Sequence, residues 1–118
     1  MNKRKQEYER RRILNTMRPL NRHPNRLQFY KNESDNHAHK KYKLFRILQK
    51  AGYEIYSEVI FKSGKRADLV AIKDGLGYGF EVLESETIKK CEKKIKNYPK
   101  LIEWRIISSY EDIKNLEI

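Results

Sequence analysis

The stretch that decides the fold is Gly64-Lys-Arg-Ala-Asp-Leu-Val-Ala-Ile-Lys-Asp-Gly-Leu-Gly-Tyr-Gly-Phe-Glu-Val-Leu-Glu-Ser85. It contains two apolar runs, residues 67–72 and 80–83, on either side of a turn rich in glycine. This pattern predicts a β-hairpin. A carboxylate interrupts each run, Asp68 in the first and Glu81 in the second. An ionised carboxylate on a buried strand is costly unless it is paired with a cation, hydrogen-bonded or bound to a metal.

Hydrophobic periodicity predicts the other elements around this hairpin. Apolar residues recur at helical spacing after residue 34, where Ser34, Asp35 or Asn36 can cap a helix that Gly52 ends. Before the hairpin we predict a helix over residues 2–17, a loop to residue 31, a helix that ends at Ala51 and a strand over 53–61. After it we predict a helix over 88–98, capped by Ser85 or Thr87, a strand over 103–108 and a short helix over 110–116. The order from residue 33 onward is α, β, β, β, α, β, α, which predicts an α/β (α+β) fold with a central mixed sheet flanked by helices.

The charge is concentrated at one end of the chain. The 118 residues carry a net charge of +11, and residues 1–32 account for +8 of it with ten Lys or Arg and two Glu. We therefore divide the chain into a basic N-terminal helix and loop, residues 1–32, and a nearly balanced domain, residues 33–118. Clustered cations favour a nucleic acid, because their binding releases condensed counterions. A solvated basic helix is the alternative interpretation of residues 2–17.

Several classes of protein are disfavoured by composition. The single cysteine, Cys91, excludes an intrachain disulfide and a cysteine-based zinc site. The sequence contains no apolar stretch of the length of a membrane span and no apolar run behind its first basic residues. We therefore expect an intracellular, cytoplasmic protein without a membrane partner.

Three acids fall on three successive predicted strands: Glu58, Asp68 and Glu81. If the strands are adjacent, their carboxylates can converge at one edge of the sheet. Converging carboxylates repel one another unless a hard divalent cation neutralises them, and oxygen-rich sites suit Mg²⁺ or Mn²⁺. Ion pairing is the alternative for Asp68, and a solvent-facing position is the alternative for Glu58.

The arrangement of Asp68 followed by Glu81-Val82-Leu83 resembles the PD-(D/E)XK (restriction-endonuclease-like) nuclease superfamily. The longer pattern, Glu33-Ser34-x-x-His37-x-x-Lys40, then Glu58, Arg66-Ala67-Asp68 and Glu81-x-Leu83-x-Ser85, is similar to the nuclease-like domain of the competence protein CoiA and its relatives. The resemblance covers residues 33–98. A Lys usually sits where Leu83 stands, so the missing positive charge must come from Lys40, Lys65, Arg66 or His37.

The resemblance implies a metal-dependent nuclease, an Mg²⁺- or Mn²⁺-dependent (endo)deoxyribonuclease with DNA as its partner. It implies metal ligation by Asp68 and Glu81 with support from Glu58, and it places His37 and Lys40 near the scissile phosphate, so that all five residues are candidate catalytic groups. A structure-selective enzyme similar to the archaeal Holliday-junction resolvases, and a homodimer like them, are further options. The alternative function is a catalytically inactive nucleic-acid-binding protein. The candidate nucleic-acid contacts are Lys3, Arg4, Lys5, Arg10, Arg11, Arg12, Arg22, Arg26, Lys65 and Arg66.

Overall fold

A computed structural model, which describes residues 1–117, shows one four-stranded sheet with helices on both of its faces. The strands lie in sequence order, with β1, β2 and β3 antiparallel and β4 parallel to β3. The elements are α1 (Lys3–Leu14), a single 3₁₀ turn (Pro19–Asn21), α2 (Asp35–Lys50), β1 (Glu54–Ile60), β2 (Arg66–Lys73), β3 (Leu76–Val82), α3 (Ile88–Ile95), β4 (Ile102–Ile107) and α4 (Tyr110–Lys114). The predicted element order and the mixed α/β architecture are confirmed.

The β2–β3 hairpin turns through two residues, Asp74 and Gly75, which both have positive φ angles of 53° and 81°. An Asp-Gly pair is the usual choice for this tight turn, because both central residues must adopt a left-handed conformation. The next glycines serve packing instead. A Cβ atom at Gly79 would lie 2.2 Å from the Trp104 ring, so glycine at this position lets the indole lie against β3.

The two faces of the sheet bury separate apolar clusters. On one face α2 and α4 pack against β residues such as Leu69 and Phe80. On the other face Ile13 and Met17 of the N-terminal segment join Val70 and Tyr98. The basic N-terminal segment is therefore packed on the sheet through its apolar residues, and its cations lie on the outside of that helix.

The alternation of side chains slips by one residue where β1 and β2 face each other at Glu58 and Asp68. Val59 belongs to the same cluster as Tyr56, and Ala67 belongs to the same cluster as Val70, although a regular strand would place each pair on opposite faces. Glu58 has a φ angle of 48°, which is uncommon for a residue other than glycine. This kink turns the two carboxylates away from the positions that simple alternation predicts.

Side-chain caps fix the starts of the two helices that carry site residues. Ser34 Oγ accepts a hydrogen bond from His37 N at 3.1 Å, and Thr87 Oγ1 accepts one from Lys90 N at 3.3 Å. Each cap is one of the alternatives that the sequence offered. Within residues 1–117, no helix combines the length and the apolar character that crossing a lipid bilayer requires.

Candidate active site

Asp68 and Glu81 meet in a polar cleft of about 320 Å³. Asp68 lies near the start of β2 and Glu81 near the end of β3, and the two strands are antiparallel, so these positions are at the same end of the sheet. Leu69 pairs with Phe80, which makes Asp68 and Glu81 the next cross-strand neighbours. Asp68 Oδ2 accepts a hydrogen bond from Val82 N at 2.7 Å. The structure thus brings these two predicted residues together.

The two carboxyl groups hold different protonation states. Burial and the charge of Asp68 raise the pKa of Glu81 to about 8. Burial also disfavours the Asp68 carboxylate, but hydrogen bonds from His37 and Val82 outweigh it and hold the pKa of Asp68 below its ordinary value. At neutral pH Asp68 is therefore ionised and Glu81 carries a proton.

The hydroxyl group of Tyr98 acts against this shift, because its hydrogen bond to Glu81 lowers the pKa of that carboxyl group, although burial and Asp68 outweigh it. It lies 2.5 Å from Glu81 Oε1 and 2.9 Å from the carbonyl oxygen of Arg66. A phenol has one proton and can donate to one of these two acceptors at a time. Tyr98 donates to either Glu81 Oε1 or the Arg66 carbonyl oxygen, and the bond to Glu81 holds that carboxyl group in place.

His37 reaches the same cleft from the first turn of α2 and is 4 % exposed. Its Nε2 donates to Val82 O at 2.8 Å and lies 3.5 Å from Asp68 Oδ2. Its Nδ1 lies 3.2 Å from Glu33 Oε2, but the two atoms are not aligned as a hydrogen bond. Burial opposes the imidazolium, yet the contact with Asp68 and the negative charges of Asp68 and Glu33 raise the pKa of His37 to about 9. His37 is therefore a cation at neutral pH and neutralises Asp68.

Glu58 takes part in a buried ion cluster centred on Lys41, whose side chain is fully buried. Lys41 Nζ lies 2.9 Å from Glu33 Oε1, 3.2 Å from Glu58 Oε2 and 2.9 Å from the Gln28 carbonyl oxygen. All three donor positions of the ammonium group are used. The structure thus places the Glu58 carboxylate on a lysine behind the cleft, and it does not place it beside Glu81 as the predicted third metal ligand.

Lys94 of α3 is the lysine that lines the cleft. Its Nζ makes a 2.8 Å ion pair with Glu86 Oε1, and its charge acts on Glu81. Lys40, which the sequence pattern placed near the scissile phosphate, lies elsewhere: its Nζ is 3.5 Å from the Ser108 carbonyl oxygen and 5.7 Å from the centre of the Tyr110 ring. The structure brings His37, Asp68 and Glu81 into one cleft and leaves Lys40 outside it.

The predicted nucleic-acid contacts lie in three places: α1, the loop that follows it, and the start of β2. On α1, Lys5, Arg10, Arg11 and Arg12 are each ion-paired with Glu7, Glu9 or Glu54. Lys65 and Arg66, at the start of β2, line a second cavity that also contains Lys94. Of the loop residues, Arg22 donates from Nη2 to the Met17 carbonyl oxygen at 3.0 Å, a contact within the fold.

Sequence reasoning missed three residues that shape the cleft: Lys41, Lys94 and Tyr98. Lys41 follows His37 by four residues and therefore shares its helix face. A lysine at the buried face of a helix is a signal for a buried counterion. Lys94 and Tyr98 carry no such signal, because one belongs to a run of exposed lysines and the other to an apolar stripe.

Two side chains of the cleft are oxygen donors of the kind that bind hard divalent cations. Asp68 and Glu81 offer two carboxyl groups, and the carbonyl oxygen of Val82, which also lines the cleft, accepts a hydrogen bond from His37 Nε2. Mg²⁺ is commonly held by one or two carboxylates together with water and substrate phosphate, so two protein carboxylates suffice. Among residues 1–117, no group of three His, Cys, Asp or Glu side chains is arranged to hold a metal ion. Any metal site in the cleft therefore depends on water or substrate oxygens for its remaining ligands.

Comparisons with known proteins add no relative. No protein-family model matches the chain, and no curated protein and no solved structure matches it.

Proposed function

We propose that the protein is a metal-dependent nuclease that hydrolyses phosphodiester bonds of DNA. The observation that carries the proposal is the pair of carboxyl groups, Asp68 and Glu81, which line one polar cleft from neighbouring positions of β2 and β3. Such a pair is unfavourable in a metal-free protein, and strongly perturbed acids in a cleft are typical of functional sites. The resemblance to the PD-(D/E)XK nucleases supports the same assignment for these two positions.

In this proposal Asp68 and Glu81 would hold Mg²⁺ or Mn²⁺. The bound ion would polarise the phosphodiester and favour attack by water at neutral pH. The protein contributes the positions of the two carboxylates, which antiparallel pairing of β2 and β3 fixes. The Val82 amide and the Tyr98 hydroxyl further restrict the carboxyl groups of Asp68 and Glu81.

Positive charge for the phosphate comes from α2 and α3. Leu83 stands where the resemblance leads one to expect a lysine, and it is 7 % exposed beyond the end of β3. Lys94 and His37 are the cations that border the cleft. Preorganised donors at developing negative charge contribute about 2.7 to 4 kcal/mol each in other enzymes, so these two residues can replace the absent lysine.

The test is cleavage of DNA by the purified protein with Mg²⁺ or Mn²⁺. We expect Asp68→Asn to abolish cleavage and to leave DNA binding intact. Asp74→Asn is the matched control, because Asp74 lies in the exposed turn of the same hairpin and asparagine tolerates its positive φ. Cleavage that survives Asp68→Asn would refute the proposal. Parallel assays on single strands, linear duplexes and four-way junctions test whether the enzyme is structure-selective.

The second candidate is a nucleic-acid-binding protein that lacks catalysis, and Leu83 favours it. Calorimetry separates the two functions: the enzyme binds Mn²⁺ in a manner that depends on Asp68. Salt-sensitive DNA binding without any Mn²⁺ binding would favour the second candidate.

A further inference from the structure

A second cavity, of about 450 Å³, adjoins the cleft. Four of its lining residues are cationic: Lys65 and Arg66 from the start of β2, and Lys93 and Lys94 from α3. We name these four residues and the space between them the cationic pocket. Of the described residues that line it, none is acidic. The guanidinium group of Arg18 adds a fifth cation beside Gly64.

Two residues connect the cationic pocket with the carboxylate cleft. Lys94 lines both spaces. Tyr98 lines the cationic pocket, and its hydroxyl group contacts Glu81 of the cleft and the carbonyl oxygen of Arg66. A ligand held at Glu81 is therefore one side chain away from the cationic pocket.

The charges in the cationic pocket are largely available to a ligand. Lys65, Arg66 and Lys93 make no ion pair with any of residues 1–117, whereas Lys94 pairs with Glu86. The cations of α1 differ, because four of them already have a glutamate partner. An anion at these four must compete with the glutamates, whereas Lys3 and Arg4 of α1 make no ion pair within residues 1–117, and an anion in the cationic pocket competes with one glutamate.

A nucleic-acid strand would need such a surface next to the cleft. Each strand of a duplex carries one phosphate per roughly 3.4 Å of helix axis, so a scissile phosphate in the cleft brings its neighbours to the adjoining surface. Glu84 and Glu86 line the cleft itself and repel the neighbouring phosphates, whereas the cationic pocket attracts these phosphates.

We propose that the cationic pocket is the subsite for the phosphates next to the scissile one, so that the strand leaves the cleft across the start of β2 and α3. This inference rests on the proposed nuclease function. It assigns Lys93 and Lys94, which are not among the contacts predicted from the sequence, to the substrate. It also makes α3, and not α1, the main contact to the nucleic-acid backbone.

The test measures DNA affinity as a function of salt, with a chelator present so that no cleavage occurs. The probes are a fluorescent duplex and a fluorescent single strand. We expect the Lys65→Ala/Lys93→Ala double variant to lower the slope of log affinity against log salt by about 1.8 for a duplex, or about 1.4 for a single strand, because each lost phosphate contact contributes about 0.9 or 0.7. At about 0.1 M salt the same loss weakens binding on the order of 10- to 100-fold.

The matched control is Lys89→Ala/Lys90→Ala, which removes the same charge from exposed positions of α3 outside the pocket. A third variant, Arg11→Ala/Arg12→Ala, removes the same charge from α1. A larger slope change for the pocket variant than for both others supports the inference, and equal changes, or no measurable DNA binding by the unaltered protein, overturn it. The binding assay contains no metal, so it does not depend on catalysis. If the proposed nuclease function is wrong, the protein will fail to cleave DNA with Mg²⁺ or Mn²⁺ but can still bind DNA through the cationic pocket.

Discussion

Replacing Glu81 with glutamine is expected to stabilise the metal-free protein while it abolishes cleavage. In the folded protein the pKa of Glu81 is raised from its ordinary value of 4.5 to about 8. A group with a raised folded-state pKa stabilises the fold below the ordinary value and loses that contribution as the pH rises through the folded value. The stability of the unaltered protein should therefore fall between about pH 4.5 and pH 8, whereas the amide does not titrate.

The expected size of the effect follows from the shift. At about 1.36 kcal/mol per pKa unit, a shift from 4.5 to about 8 corresponds to at most about 5 kcal/mol at pH 8. Below pH 4.5 the two proteins should be about equally stable, because glutamine retains the oxygen that faces the Tyr98 hydroxyl. The raised pKa of His37 adds a loss of stability between about pH 6.5 and pH 9, and this loss remains in the Glu81→Gln variant.

Urea denaturation at a series of pH values, with a chelator present, measures this difference. The control is Glu103→Gln, which changes a largely exposed glutamate on β4 and should leave the pH dependence of the unaltered protein in place. Added Mg²⁺, at a hundredfold excess over its dissociation constant, should raise the free energy of unfolding of the unaltered protein by about 2.7 kcal/mol. It should not raise the free energy of unfolding of Glu81→Gln. If the stability of the unaltered protein and of Glu81→Gln changed with pH in the same way, Glu81 would not carry the proton. That result would refute the coupling between Glu81 and Asp68.

Three further substitutions test other parts of the structure. Lys94→Ala should lower the cleavage rate at saturating DNA by about a hundredfold, whereas Lys90→Ala should not lower it. Equal cleavage rates for these two variants would show that Lys94 does not act in the site. Lys41→Met should cost about 3 to 5 kcal/mol in urea denaturation, because it leaves buried carboxylates without a counterion, and a neutral effect would contradict that ion cluster. Gly79→Ala should lower the melting temperature, because its Cβ atom would lie 2.2 Å from the Trp104 ring; unchanged melting would show that the indole moves at no cost.

The elements of this fold were predictable because local patterns determine them. The Asp74-Gly75 turn, the caps at Ser34 and Thr87 and the apolar stripes each act within a few residues along the chain. The pairing of Asp68 with Glu81 was also within reach, since a two-residue hairpin fixes which positions face each other.

The position of Glu58 was not predictable from alternation. Three acids on three adjacent strands suggested one converging group, but the kink at Glu58 slips the alternation, and Lys41 of α2 binds its carboxylate. Whether a buried acid binds a metal or a lysine depends on a helix that packs from a distant part of the sequence. The identities of the acids predict that they need a partner and do not predict which one.

The segment with the highest net charge in the sequence is also not the segment that forms the cationic pocket in the structure. Residues 1–32 carry most of the net charge, which favoured α1 as the nucleic-acid contact. In the structure the glutamates of α1 lie at the three- and four-residue spacings that pair them with its own cations, and Glu54 of β1 adds a further partner. The cationic pocket instead combines residues from β2 and α3, each a modest contribution within a nearly balanced part of the sequence. Because a phosphate responds to the local potential of a concave surface, the smaller cluster beside the carboxylates, in which only Lys94 is ion-paired within residues 1–117, is the stronger candidate for binding the substrate.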